Sequence, residues 1–536
     1  MNLLRNFILV SSFVALIISC AVWKKNIEAN HSSIKIENFN HDDSLITTKI
    51  NPLSFITIKN DVIKLTIDKK GGDIVQTELL KFKDTLNSKN DLKLLETSHN
   101  FIYQAQNDII KSKYLGHEFQ KNYRLNYQTK KNDFILTNQN SIIEVPLLSI
   151  SKSGIKYIKT FVLKKNSYAV DVKFKVINNT NQSIDMIMFN RLIQSIVQPK
   201  SKQHENNNIA LQIFRGVAYS TDNNKYSKYK FTDIQNKANL KISTKNGWIA
   251  MLQKYFVSAW IPKNTSYKNH IFTNYLEKNI AAIGYKTDII HIPAKNVTNL
   301  ISTLWVGPEI QDKMAAVAPH LDLTINYGWL WFLSQPLFKL LKILNNFFHN
   351  WGFSIIAITF IMKLCMYPIS KAQYIAISKI KKIQPLVENI KKKFAHDKQK
   401  LTEEMIILYK KEGVNPLGSL FPALIQMPLF LALYYMLMSS VELRHAPFIL
   451  WIQDLSDKDP YYVLPICMGI TMFFIQKNNT LNDQNKSSIQ DIILQLTPFI
   501  FTIFFLWFPS GLVLYYTVSN LITIFQNKIM FKNIKV

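Results

Sequence analysis

Between residues 350 and 530 the chain carries five dense apolar runs, and no other feature constrains its fold as strongly. A bilayer supplies no water to bare backbone, so only helices or closed barrels cross it. The runs 350–369, 417–440, 461–476, 492–508 and 511–527 are therefore read as membrane-spanning helices. Some are short: sixteen residues of helix reach about 24 Å against a hydrocarbon core of about 30 Å, which predicts local thinning of the bilayer.

One charge stands inside the first run. Lys363 lies among Ile361, Met362, Leu364 and Cys365. An ammonium at the bilayer centre costs from about 2.5 to above 10 kcal/mol, so such a group is kept where it faces water or a partner. Thr359, four residues earlier, shares its helical face. The other polar groups in the runs are neutral: Gln426, Thr471 and Gln476, then Tyr515, Tyr516, Thr517, Ser519 and Asn520. Helix–helix hydrogen bonding accounts for each singly. Together with one cation they suit a wet cavity within the bilayer. The runs as bounded here contain no acid, which argues against a proton relay, and they lack the paired broken helices of many transporters.

Upstream, Arg5 and the apolar stretch that follows are read as an uncleaved anchor within 1–23. Ile17-Ile-Ser-Cys20 is similar to a lipoprotein cleavage box and leaves lipidation of Cys20 open. Residues 24–54 are Asn-, Ser- and Lys-rich, a linker. In 55–320 apolar residues alternate with period two, as at Ile63, Leu65 and Ile67 and again at Tyr168, Val170, Val172, Phe174 and Val176. That pattern predicts a large antiparallel β-sandwich outside the membrane. Residues 325–349 read as an amphipathic helix lying in the interface, with Trp329 and Trp331 at headgroup level. Residues 370–416 read as a basic helical hairpin. Ile380, Ile383 and Ile390 lie along its first arm, Met405 and Leu408 along its second, and Ala395-His396-Asp397 forms the bend.

Loop charges set the topology. The segment 371–412 holds eleven Lys against five acids and is expected in the cytoplasm. The connector 441–460, richer in acids, belongs on the opposite side, while 477–491 and the tail 528–536 belong inside. Lys24 and Lys25 run against the rule and are outvoted, so both termini come out cytoplasmic. The net charge of +28 invites a nucleic-acid reading, but 59 of the 64 basic residues are Lys and only five are Arg. Arg is the residue suited to bidentate phosphate and base recognition, so no direct nucleic-acid partner is expected. The basic hairpin is either a solvated face or a docking arm for a ribosome, a nascent chain or anionic lipid.

Chemical motifs are missing. The sequence has no GxxxxGK[ST], GxSxG, HExxH or CxxC, so neither an enzyme nor a cofactor or metal site is expected. Cys20, Cys365 and Cys467 read as small buried hydrophobes. A small-solute transporter or channel, and a periplasmic carbohydrate-binding protein with a membrane anchor, stay open as readings of the residues alone.

The motifs also carry a resemblance. Asn350-Trp-Gly-Phe-Ser-Ile-Ile, Met366-Tyr-Pro-Ile-Ser-Lys-Ala-Gln-Tyr374, Asn415-Pro-Leu-Gly418, Gln426-Met-Pro-Leu-Phe-Leu-Ala-Leu-Tyr-Tyr-Met436 and Phe505-Leu-Trp-Phe-Pro-Ser-Gly511 resemble the core signatures of the YidC membrane protein insertase family. Val441-Glu-Leu-Arg-His-Ala-Pro447 and Asp459-Pro-Tyr-Tyr462 extend the likeness. The segment from Gly247 to Trp260 resembles the large periplasmic domain of the Gram-negative form. The resemblance implies a membrane α-helical core of five helices plus the N-terminal anchor, with an all-β periplasmic supersandwich related to sugar-mutarotase folds. It implies a hydrophilic groove open to the cytoplasm and to lipid, and closed toward the periplasm. The groove cation, usually Arg, falls on Lys363, and two groove contacts fall on Thr359 and Tyr516. With Gln426, Thr471 and Asn520 these make the expected groove. Expected partners are nascent integral membrane proteins, the Sec translocon with its accessory subunits, the ribosome transiently, and lipids of the bacterial inner membrane.

Overall fold

The structure is a computed structural model and describes residues 54–114, 124–199, 214–236, 239–264, 266–276, 279–394, 397–413, 421–479 and 489–533. The expected anchor, the linker up to residue 53, Cys20, His396 and the motif Asn415–Gly418 lie outside them.

The alternating segments form strands. Ile63, Leu65 and Ile67 point inward from strand Ile63–Asp68, and Val170, Val172, Phe174 and Val176 from strand Ala169–Ile177, all completely or almost completely buried. Among the described residues two sheets form, of eleven and eight strands, and their facing sides share one apolar core. The expected antiparallel sandwich forms with one parallel pair: Phe55–Lys59 runs parallel to Asp133–Ile135. A parallel pair needs a long crossover, and the four strands that intervene in sequence provide it. Trp248, Trp260 and Trp305 fill the core. Trp248 donates to the Pro319 carbonyl at 3.1 Å and Trp260 to that of Arg191 at 3.2 Å. Both indole N–H groups are thus satisfied despite burial. Gly247 opens strand Gly247–Leu252 with φ +134°, and a β-carbon there would stand 2.0 Å from the Ser220 carbonyl oxygen, so only glycine fits.

A buried polar network ties the sheets together. Arg124 pairs with Asp73 at 2.5 Å and Asp108 at 2.8 Å, while the Lys159 ammonium donates to the carbonyls of Gly71, Gly72 and Asn107. Burial pulls the Lys159 amine down to about 8. Buried charges persist where such partners surround them.

Two short helices, α1 (Phe231–Gln235) and α2 (Gln311–Val317), lie within the β-rich part. Longer helices follow: α3 (Trp331–Phe348), α4 (Trp351–Cys365), α5 (Tyr367–Lys382), α6 (Gln384–Lys393), α7 (Lys398–Lys411), α8 (Phe421–Ser439), α9 (Val463–Asn479), α10 (Ile489–Phe505) and α11 (Ser510–Asn533). Helices α3, α4, α8, α9, α10 and α11 share a second apolar core.

The helix ends differ from the apolar runs. Helix α4 stops at Cys365 rather than 369, because Pro368 has no N–H to give the Leu364 carbonyl and its ring clashes with that carbonyl, so the chain breaks and restarts as α5 at Tyr367. Among the described residues no single helix is long and apolar enough to cross a membrane; Trp351–Cys365 with Tyr367–Ile380 reaches that measure only as a broken pair. Helix α10 starts at Ile489 and takes in Asp491, so its first turn holds an acid that the apolar run leaves in a loop. Cys365 and Cys467 are exposed, not buried as expected, since an apolar helix has an outward face as well as an inward one.

Residues 372–421 form a body of their own. In it Ile383, Val387 and Leu408 pack together, joined by Ile380, Ile390, Met405 and Tyr409. The Asp397 carboxylate accepts from the backbone N–H groups of Gln399 and Lys400, both at 3.1 Å, and so starts α7.

Candidate functional site

Helix α4 begins where its sequence provides a cap. The Asn350 side-chain oxygen accepts from the N–H of Gly352 at 2.8 Å and of Phe353 at 3.2 Å. Three turns later Lys363 emerges half-buried toward α11, where its ammonium donates to the Thr523 hydroxyl at 2.9 Å. The Thr523 hydroxyl in turn donates to the Ser519 carbonyl, and the Gln526 amide donates to the backbone carbonyl of Lys363 at 3.4 Å. No ion pair joins Lys363 to an acid among the described residues. The cation therefore rests on a neutral oxygen.

One turn up α11, Asn520 donates to the Thr471 hydroxyl of α9 at 3.2 Å, and that hydroxyl donates to the Met468 carbonyl. Ser519, Asn520, Thr523 and Gln526 thus line one face of α11, at spacings of one, three and three. From Asn520 to Gln526 the face rises about 9 Å. It bridges α4 and α9.

The other expected residues stand apart from this chain of bonds. Thr359 is fully buried and its hydroxyl donates to the Ile355 carbonyl of its own helix at 2.6 Å. Tyr516 sits among rings, 5.3 Å from Phe430 and 5.2 Å from Phe505. Gln426 is half-buried on α8. Lys363, Thr471 and Asn520 are thus joined through α11, while Thr523 and Gln526 are contacts that the sequence reading missed. Continuing the helical face of Asn520 by one and two turns would have found both.

Comparison with known proteins decides what kind of chain this is. The family described as YidC periplasmic domain matches residues 55–340, and the family described as 60Kd inner membrane protein matches 343–536. The membrane protein insertase YidC of Buchnera aphidicola subsp. Schizaphis graminum is 50% identical, with 100% of this chain and 99% of that protein covered. The chain belongs to the YidC membrane protein insertase family. The membrane protein insertase YidC of Buchnera aphidicola subsp. Baizongia pistaciae is 52% identical, over 99% of each chain. A crystal structure of an active YidC insertase covers 90% of this chain and 93% of its own, at 16% identity and a TM-score of 0.38. The function of this family, membrane protein insertion, is that of the chain, and its place is a membrane. A galactose mutarotase-related enzyme of Lactobacillus acidophilus covers 47% of this chain and 97% of its own at a TM-score of 0.31, too slight a likeness to argue from.

Proposed function

We propose that the chain inserts and helps fold integral membrane proteins of the bacterial inner membrane through a hydrophilic groove between α4, α8, α9 and α11, alone or with the Sec translocon. One observation carries the reading: the Lys363 ammonium is held by the neutral Thr523 hydroxyl, with no ion pair among the described residues. A cation balanced by an acid of its own protein has little to offer a substrate. One resting on a hydroxyl keeps most of its field.

Insertion then follows from partitioning. A substrate helix gains by burying about 20 apolar residues in lipid, but its polar flank must cross hydrocarbon. Lys363, Thr523, Asn520 and Thr471 hydrate that flank part-way, with Gln426, Thr359 and Tyr516 as further walls. Lys363 attracts acidic residues of the arriving segment. The apolar helix leaves sideways into lipid, driven by burial of its surface, so no nucleotide is required.

In this reading α4, α8, α9, α10 and α11 form the five-helix core. Helix α3 lies in the interface, supported by the exposure of Trp331, Phe332 and Phe347. The β-rich domain is periplasmic, the α6–α7 hairpin and both termini are cytoplasmic, and the hairpin receives ribosome-bound nascent chains. The test is a photoreactive side chain at position 359 or 516 in a translating system. Crosslinks to a nascent membrane segment are expected at both sites, and their absence would rule the groove out.

A further inference from the structure

The connector between α8 and α9 carries five consecutive apolar residues, Phe448-Ile-Leu-Trp-Ile452, with no charge among them. The insertion groove makes no use of them. Two are turned inward: Ile452 is buried in the helical core, and the Phe448 ring meets Phe353 of α4 edge-on, 5.3 Å between centres. Ile449 and Leu450 point outward, 44% and 74% exposed.

The exposed pair sits on a tight turn. The Phe448 N–H donates to the Ile452 carbonyl at 2.9 Å, and the Ile452 N–H to the Ile449 carbonyl at 3.2 Å. The Gln453 side-chain amide donates to the Leu450 carbonyl at 3.1 Å. Leu450 has φ +54°. A bulky side chain disfavours that region, and such strain persists only where the surroundings enforce it. Here the strained residue is also the most exposed of the five.

The turn is tied to the starts of two helices. Asn350, whose oxygen caps α4, donates through its amide nitrogen to the Phe448 carbonyl at 3.1 Å. The Trp451 indole donates to the buried Asp459 carboxylate at 2.9 Å, which also accepts from the Leu464 N–H in the first turn of α9 at 2.8 Å. The carbonyls of Phe448, Ile449, Leu450 and Ile452 are thus all taken up within the protein, the condition that hydrocarbon imposes on backbone. Neighbouring exposed groups are apolar or aromatic as well: Phe353 beside Phe448, and Tyr461, whose ring lies 6.5 Å from that of Trp451. Trp and Tyr collect at the level of the headgroups.

We propose that Ile449 and Leu450 are planted in the bilayer, at the boundary of headgroups and acyl chains, as a fixed anchor for the starts of α4 and α9. The inference rests on the reading of these helices as spans. Lys363 follows Asn350 by 13 residues, about 20 Å of helix, so an anchor at the start of α4 sets the depth of the groove cation.

The test places a nitroxide at one position at a time on the full chain in lipid nanodiscs, with the three native cysteines replaced by alanine. Relaxation by oxygen, which concentrates in lipid, is compared with relaxation by a water-soluble nickel chelate. The labelled variants are Leu450→Cys, Phe473→Cys on the exposed face of α9, and Ser153→Cys in an exposed turn of the sandwich. Position 450 should favour oxygen, as 473 does and 153 does not. If 450 favours the chelate while 473 favours oxygen, the tip stands in water and the anchor is overturned with the spans intact. If 450 and 473 both favour the chelate, the span reading fails and the anchor falls with it. Protection of 450 from both reagents would show a protein partner over the tip, and would equally overturn the lipid assignment. Ile449→Ser/Leu450→Ser should shift the depth of a label at Phe360→Cys on α4 and leave circular dichroism unchanged. An unmoved label there would overturn the anchoring role.

Discussion

At Lys363 the sequence alone exposes a cost and the structure shows how it is carried: by one hydroxyl, on another helix. If charge is what the groove needs, Lys363→Arg keeps insertion, and Lys363→Ala loses it for substrates with acidic flanks while sparing neutral ones. Insertion into reconstituted vesicles reads this out, and equal yields from the Ala variant would sink the electrostatic argument. A lysine in an apolar run is legible because it breaks a pattern. Thr523 and Gln526 were not, because single neutral polar residues in a membrane helix look like ordinary packing contacts. Glu309 gives a second residue-scale prediction. Burial pushes its carboxyl up to about 8, against the field of Lys228 and a bond with Thr324 that lower it. The folded state therefore holds a proton that the unfolded chain releases near pH 4.5. The stability this provides is complete below that pH and is lost as pH rises toward about 8. Each pH unit of displacement is worth about 1.4 kcal/mol. Glu309→Gln should thus gain several degrees of melting midpoint over the parent between about pH 5 and about pH 8.5. A constant difference across that range would refute the buried-acid account.

Among the elements, the α9–α10 crossing rests on one small residue. A β-carbon at Gly469 would stand 1.9 Å from the Thr502 hydroxyl oxygen and 3.1 Å from its β-carbon. Gly469→Ala is therefore overpacking and should cost about 1–3 kcal/mol. Adding Thr502→Ala removes the oxygen that clashes and should recover most of the loss, a coupling of about 1 kcal/mol or more in a thermal double-mutant cycle. Additive effects would show that the helices part freely. The crossing also explains what hydropathy could and could not give. Period-two alternation placed the Ile63 and Val170 strands because one face of each is buried, and the hairpin residues Ile383 and Leu408 met as their spacing required. Helix ends were not legible from apolar runs, since Pro368 ends α4 early, the polar residues Gln476–Asn479 extend α9, and α11 runs on past Lys528 to Asn533. The parallel strand Asp133–Ile135 is three residues long, too short for periodicity to give its direction.

Across the whole molecule, the β-rich part and the helices meet at a residue whose rarity was visible from the start. Arg444, one of only five arginines, follows α8 and reaches the turn after strand Asp73–Lys83. Its two terminal nitrogens donate to the carbonyls of Lys83 at 2.7 Å and Asp84 at 2.8 Å. The guanidinium also lies 5.7 Å from the centre of the Phe256 ring. A planar fork can hold two adjacent carbonyls and a ring face at once, whereas an ammonium holds them one geometry at a time. Nearby, Val441 is buried in the sandwich core and the Ser439 hydroxyl donates to the Asn326 carbonyl at 2.7 Å, so the join does not depend on Arg444 alone. Arg444→Ala should consequently leave the fold intact, since net hydrogen bonds contribute about 0.5–1.5 kcal/mol each. Its effect should be local: amide exchange across 84–90 should rise severalfold, with Arg444→Lys recovering at most part of the protection. If exchange there stays at the parent's level in Arg444→Ala, the join is carried by Val441 and Ser439. If it rises and insertion falls with it, the periplasmic-side domain is mechanically coupled to the helices that carry Lys363.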